Sequence, residues 1–183
     1  KMKPVREPEE GEDQPKEEDK RDHHTWRGYE LLKNKREFSL MTAHIALQHH
    51  ERLDGGGIPR GIPGDEIHSF AKIVAVANKY DNLISTMDGE GLLPHEACEK
   101  IMALSETELD HDVLVQFNRI ISIYPNGTAV RLSTKETGVV VRQHRGLPGR
   151  PVIRIVRADN NDLTITEVDL AQQTTVFIEA VLA

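Results

Sequence analysis

Nothing else in this chain restricts its fold as tightly as the stretch from His49 to Ile67, where His49-His50-Glu51 runs into Asp54-Gly55-Gly56-Gly57-Ile58-Pro59-Arg60-Gly61-Ile62-Pro63-Gly64. Five glycines and two prolines between positions 55 and 64 exclude a continuous helix or a central strand there. Glycines also let backbone N–H groups approach a ligand closely, and prolines stiffen the loop that presents them. Helix-like apolar spacing flanks the loop on both sides. Phe38 to His50 reads as a helix with Phe38, Met41, Ile45 and Leu47 inward. Ala71 to Leu83 reads as a buried helix through Ile73, Val74, Val76, Ala77, Tyr80, Leu83 and Ile84. Two imidazoles delivered to a helix end beside such a loop point to a metal or anion site. Adjacent helical residues diverge by about 100°, so His49 and His50 suit two ions of a cluster better than one. The plainer alternative makes one a helix-end residue and leaves the other exposed.

Composition narrows the function classes. A formal net charge of -7 argues against a duplex nucleic-acid binder, which needs a basic footprint. A single cysteine, Cys98, excludes a disulfide framework and fits a reducing compartment. No apolar run approaches the roughly 20 residues of a membrane-spanning helix, and the start carries no signal-peptide pattern. A cytoplasmic location is therefore expected. Aromatic residues make up only 4%, so the core must rest on Leu, Ile, Val and Ala.

The loop motif resembles the signature of the HD-GYP family of metal-dependent phosphodiesterases, which hydrolyse cyclic di-GMP. That family reads His-His-Glu-x-x-Asp-Gly-x-Gly-Tyr-Pro-x-Gly, and this chain matches it at His49, His50, Glu51, Asp54, Gly55, Gly57, Pro59 and Gly61. It departs at Ile58, where the family has tyrosine. The run His24-Thr25-Trp26-Arg27-Gly28 resembles the family helix in which a metal-binding histidine lies four residues before a glycine. Taken alone, His24 would read as structural; the resemblance makes it a ligand position. It also implies that His24, His49 and His50 hold iron or manganese, and that cyclic di-GMP or a related cyclic dinucleotide is the substrate. Glu51 and Asp54 read either as carboxylates that orient the imidazoles or, for Asp54 in preference, as a loop cap. His44, His68, His95, His111 and His144 match no ligand spacing and read as structural.

Several positions depart from the family pattern. Lys72 stands for an arginine and is a candidate substrate contact, while Asn78 replaces an aspartate that is a metal ligand in the family. A neutral amide binds hard cations less well than a carboxylate. Thr86-Met87-Asp88-Gly89-Glu90-Gly91 stands where the family carries basic residues that hold phosphate. Lys1 resembles the lysine closing the family's His-Asp-x-Gly-Lys motif and is a candidate proton donor, which places the His-Asp pair before residue 1. Together these imply a degenerate or incomplete phosphodiesterase, or an inactive HD-GYP-like module for signalling or protein contact. Whether the chain is an enzyme stays open. A partner chain, as in a homodimer, would have to supply any absent helices.

The organisation expected is α+β. Residues 1–22, acidic with only Met2 and Val5 as sizeable apolar groups, form a mobile arm. Residues 23–123 form an all-α HD-GYP-like bundle lacking its N-terminal helices, with later helices at Pro94 to Leu104 and Asp112 to Ile123. Residues 124–183 form a small all-β module resembling one often appended to HD-GYP domains. Strands are expected at 128–132, 138–142, 152–156 and 163–165, and Thr174 to Leu182 either closes the sheet or forms a short helix. Arg142, Arg145, Arg150, Arg154 and Arg157 give that module a positive stripe, read as solvated strand faces or as an anion- or partner-binding surface.

Overall fold

The computed structural model describes residues 23–85, 91–159 and 162–182. The expected arm with Lys1, and Thr86 to Glu90 of the acidic segment, lie outside the described residues. Among the described residues, five helices are followed by a five-stranded antiparallel sheet, an α+β architecture. The helices are α1 (His24–Lys33), α2 (Leu40–Gln48), α3 (Ser69–Ile84), α4 (Pro94–Ala103) and α5 (His111–Ile120).

Each helix starts where a side chain can take up an otherwise orphaned amide. Ser39 Oγ accepts from Thr42 N at the start of α2. His68 Nδ1 accepts from Phe70 N before α3, and Asp110 Oδ1 accepts from Val113 N before α5. Pro94 opens α4, where a missing N–H costs nothing, and the Leu93 amide donates to Glu96 Oε2. Val76 and Tyr80 of α3 pack with Ala97, Cys98 and Ile101 of α4, Leu109, and Leu114 of α5 to form one core.

The strands are β1 (Ala129–Leu132), β2 (Thr137–Arg142), β3 (Val152–Asp159), β4 (Asp162–Asp169) and β5 (Ile178–Val181). Their spatial order is β4-β3-β2-β1-β5, so the last stretch closes the sheet beside β1 as a strand and not as a helix. Alternation decides the second core: Val130 and Leu132 are buried with Arg131 exposed between them, and Val140, Ile153, Ile155, Val168 and Leu170 join them.

The structure corrects several expected faces. Phe38 and Met41, expected inward, are 50% and 44% exposed, and Ile73, Val74 and Ala77 of α3 also face outward. The reason lies in composition: α2 is apolar around most of its circumference, so periodicity alone cannot choose its buried face. Ile120, expected on the apolar side of α5, is 81% exposed. Two arginines of the stripe are paired with acids: Arg154 with Glu167, directly opposite it across β3 and β4, and Arg157 with Glu136 from the turn before β2, while Arg150 donates to the carbonyls of Thr174 and Val176.

Leu114 is fully buried at the centre of the helical core. Leu114→Ala should therefore cost about 2–5 kcal/mol in a urea melt. Ile120→Ala, six residues along the same segment, should change stability by no more than about 0.5 kcal/mol.

Candidate metal centre

Two helices deliver the imidazoles. α2 ends at Gln48, and His49 and His50 follow in its last turn and the start of the loop. His23 caps α1 and His24 is its first residue. α1 packs against α2, which brings the two pairs together. His24 Nε2 lies 3.2 Å from His49 Nε2 and 3.0 Å from His50 Nε2. Ring nitrogens of His23, His24 and His50 all lie within 4.8 Å of one another. The sequence reading placed His23 at the start of the helix without assigning it to the site. Its proximity to His24 was a usable signal, because a cap residue and the first helical residue leave the helix end side by side.

Proton accounting shows what this cluster suits. His49 Nδ1 is 2.8 Å from the Ala46 carbonyl, which can only accept, so Nδ1 carries the proton and Nε2 offers its lone pair. One proton on His24 Nε2 can serve His49 or His50 but not both. A divalent cation serves several lone pairs at once. Imidazole nitrogens about 2.0–2.1 Å from one ion lie about 2.9–3.4 Å apart, which matches the observed 3.0 and 3.2 Å separations. The donor set therefore fits a transition-metal ion.

Electrostatics keeps the rings ready to bind. Burial, then the neighbouring His49, His24 and His23, and then Lys79, push the His50 imidazole down to about 4. Burial also lowers His49 and His23, with His24 adding to both effects. Crowded positive charges repel one another, so these rings stay neutral and keep their lone pairs.

The loop is held by one carboxylate. Glu51, with its side chain wholly buried, accepts from the amides of Arg60 at 2.9 Å, Gly61 at 2.9 Å and Ile62 at 3.2 Å. It grips the loop and does not orient an imidazole. Asp54 has the capping role: Oδ1 accepts from Gly56 N and Oδ2 from Arg52, and these bonds hold its carboxyl below the usual range. Gly57 packs so tightly on the backbone of Glu51 and Arg52 that a Cβ would collide with both. Gly55 and Gly61 have φ of 77° and 64°, the left-handed region that glycine enters without strain. The Ile58 amide donates to the His50 carbonyl, and Pro59 is buried beneath the loop.

Beside His49 and His50 lies a cavity of ≈ 250 Å³, also lined by Arg52, Asn78, Lys79 and Glu108. Asn78 meets His50 at Nδ1, 3.5 Å away, and not at the Nε2 edge that faces the other histidines. Lys72 does not line this cavity; its ammonium binds Asp110 at 3.2 Å. The cavity's cations are Arg52 and Lys79, which approach Glu108 at 3.4 and 3.0 Å. No local pattern marks Glu108, which arrives from the loop between α4 and α5. The remaining histidines have structural partners: His44 packs on Tyr29, His95 stacks on Tyr124, His111 meets Ser105 and His144 meets Asp169.

Comparison with known proteins gives the chain's kinship. Residues 6–113 match the HD domain family, and residues 129–183 match a KOW domain associated with HD domains. The chain belongs to the HD domain family. A cyclic di-GMP phosphodiesterase of Pseudomonas aeruginosa is 34% identical over 66% of this chain and 29% of its own length. One from Thermotoga maritima is 36% identical over 53% of this chain and 27% of its own length. A 3′3′-cGAMP-specific phosphodiesterase of Vibrio cholerae is 31% identical over 46% of this chain and 18% of its own length. This HD-family chain thus spans less than a third of each of these relatives. No helix among its described residues is long and apolar enough to cross a membrane.

Glu51→Ala would strand three loop amides and should cost about 2–5 kcal/mol by chemical denaturation. Glu51→Gln, which keeps one acceptor oxygen, should cost less. A pH effect follows from His50. Its folded value of about 4 lies below the ordinary 6.5, so between those limits the unfolded chain binds more protons than the folded one. The melting temperature of the metal-free protein should fall as pH drops from about 6.5 towards 4, and should fall less for His50→Gln.

Proposed function

We propose that this chain is the metal-binding part of an HD-GYP-type phosphodiesterase for a cyclic dinucleotide, cyclic di-GMP first, with a degenerate site that turns over weakly on its own. The observation that carries this reading is the meeting of His24 Nε2 with the Nε2 atoms of His49 and His50, 3.2 and 3.0 Å away, beside a glycine-rich loop. When bound, a divalent transition metal, iron or manganese, supplies Lewis acidity towards the phosphodiester and an acidified water.

The chain's own residues would do the rest. His24, His49 and His50 hold the ion, and the Ala46 carbonyl keeps His49 in the tautomer that offers Nε2. Arg52 and Lys79 line the cavity wall and offer positive charge to the phosphate oxygens, at the cost of loosening their contacts to Glu108. Pockets for drug-sized ligands span about 300–1,000 Å³. At ≈ 250 Å³ the cavity falls below that range, so it would take only part of a dinucleotide, with the rest outside. Glu51 keeps the loop from collapsing into that space.

The degenerate reading rests on Asn78, which offers an amide to His50 Nδ1 where the family has a carboxylate. Loss of that charge weakens the hold on hard cations and reduces turnover. The alternative, a non-catalytic signalling module, keeps the same fold and loses hydrolysis altogether.

Turnover of cyclic di-GMP by the purified chain, measured with added Fe²⁺ or Mn²⁺ against His50→Ala, tests the chemistry. Slow hydrolysis abolished by His50→Ala is the expected result, and Asn78→Asp should raise it. Indistinguishable rates for the chain and His50→Ala would leave only the signalling module.

A further inference from the structure

His23 lies outside the histidine motifs, yet its ring occupies the same space as theirs. Its centroid is 4.3 Å from that of His24 and 5.6 Å from that of His50. We propose that His23 is an additional imidazole ligand on the ion held by His24 and His50, making a nitrogen-rich centre that prefers Zn²⁺, Co²⁺ or Fe²⁺ to Mn²⁺ and Mg²⁺. The inference rests on the metal-centre reading above and deepens it.

The local structure fixes the position of this ring. His23 caps α1, and its Nδ1 sits 2.9 Å from the Thr25 hydroxyl and 3.4 Å from the Thr25 amide. As the cap, Nδ1 accepts from the Thr25 amide. When Nε2 takes an ion the ring proton moves to Nδ1, and the closer Thr25 hydroxyl accepts it in place of the amide's donation. Metal-bound histidines are regularly oriented this way, through a hydrogen bond from the other ring nitrogen. Thr25 is only 1% exposed, so the anchor is rigid.

A cap alone does not account for the arrangement. Ser, Thr, Asp and Asn cap helices better than histidine, and a cap has no need of a ring nitrogen within 4.8 Å of two others. The surroundings also decide the metal class. Among the described residues the group is imidazole only, and Asn78, which meets the other nitrogen of His50, is neutral. Imidazole suits zinc, cobalt and iron, whereas manganese and magnesium favour carboxylate and water oxygen. Neutral ligands leave the ion's double charge uncompensated, which favours an anionic phosphodiester as the incoming group.

The test uses the full chain, stripped of metal. Dissociation constants for Zn²⁺ and Mn²⁺ are measured by competition with a chromophoric chelator, and the visible absorption of bound Co²⁺ is recorded. The variants are His23→Asn and His23→Ser, which keep a cap at α1, together with His50→Ala. Wild type should bind Zn²⁺ more tightly than Mn²⁺. Both His23 variants should weaken Zn²⁺ binding by about tenfold or more and alter the Co²⁺ spectrum, with the metal-free melting temperature in place. Wild-type Zn²⁺ affinity and an unchanged Co²⁺ spectrum in both His23 variants, with binding lost in His50→Ala, would overturn the role of His23 and leave the centre standing. Manganese bound as tightly as zinc would overturn the selectivity. No binding of any of the three ions by wild type would overturn both this inference and the metal-centre reading.

Discussion

A single buried carboxylate holds the site's surroundings in shape. Glu51 follows directly on His50, and its oxygens take three successive amides from the far side of the loop. Burying a charge is costly unless it is hydrogen-bonded on every side, so the loop has one low-energy arrangement. In it the chain leaves α2, turns through Gly55 and Gly57, and returns with the Ile58 amide on the His50 carbonyl. Leu53 and Asp54 also donate to the carbonyls of Glu108 and Thr107, tying the loop to the segment between α4 and α5. The imidazoles of His49 and His50 are therefore placed by a network that spans the helical core.

Against that rigid frame the histidines bring their ring nitrogens together, with His24 Nε2 close to the Nε2 atoms of His49 and His50. Burial and mutual repulsion keep His50 neutral far below its ordinary range. Nearby, Arg52 and Lys79 share Glu108, so the cavity beside the imidazoles has cations poised at its wall. Grouped neutral imidazoles suit a cation, and the basic side chains on the cavity wall suit an anion. Asn78 turns an amide to the back of His50 and adds no charge to the centre.

Much of the fold was legible because local rules govern it. The helix opening at Pro94 and the alternation at Val130-Arg131-Leu132 sit where the structure has the corresponding helix and strand. The faces were harder. Met41, Ile73 and Val74 belong to helices with apolar residues on more than one side, and only packing selects which side is covered. The partners of the arginine-rich module were out of reach for a related reason. Arg154 and Arg157 meet acids that come from other strands or turns, a relation that linear spacing does not contain.

The sequence by itself determined the loop and the kinship. Glycine at 57 has no substitute where two backbones touch, and the run of fixed residues after His49 leaves few alternatives. Tertiary structure alone decided which groups share the site. His23 enters because α1 packs on α2, Lys79 and Glu108 enter from distant segments, and Lys72 leaves to pair with Asp110. Such meetings depend on how helices dock in three dimensions, and distance along the chain carries no record of that docking.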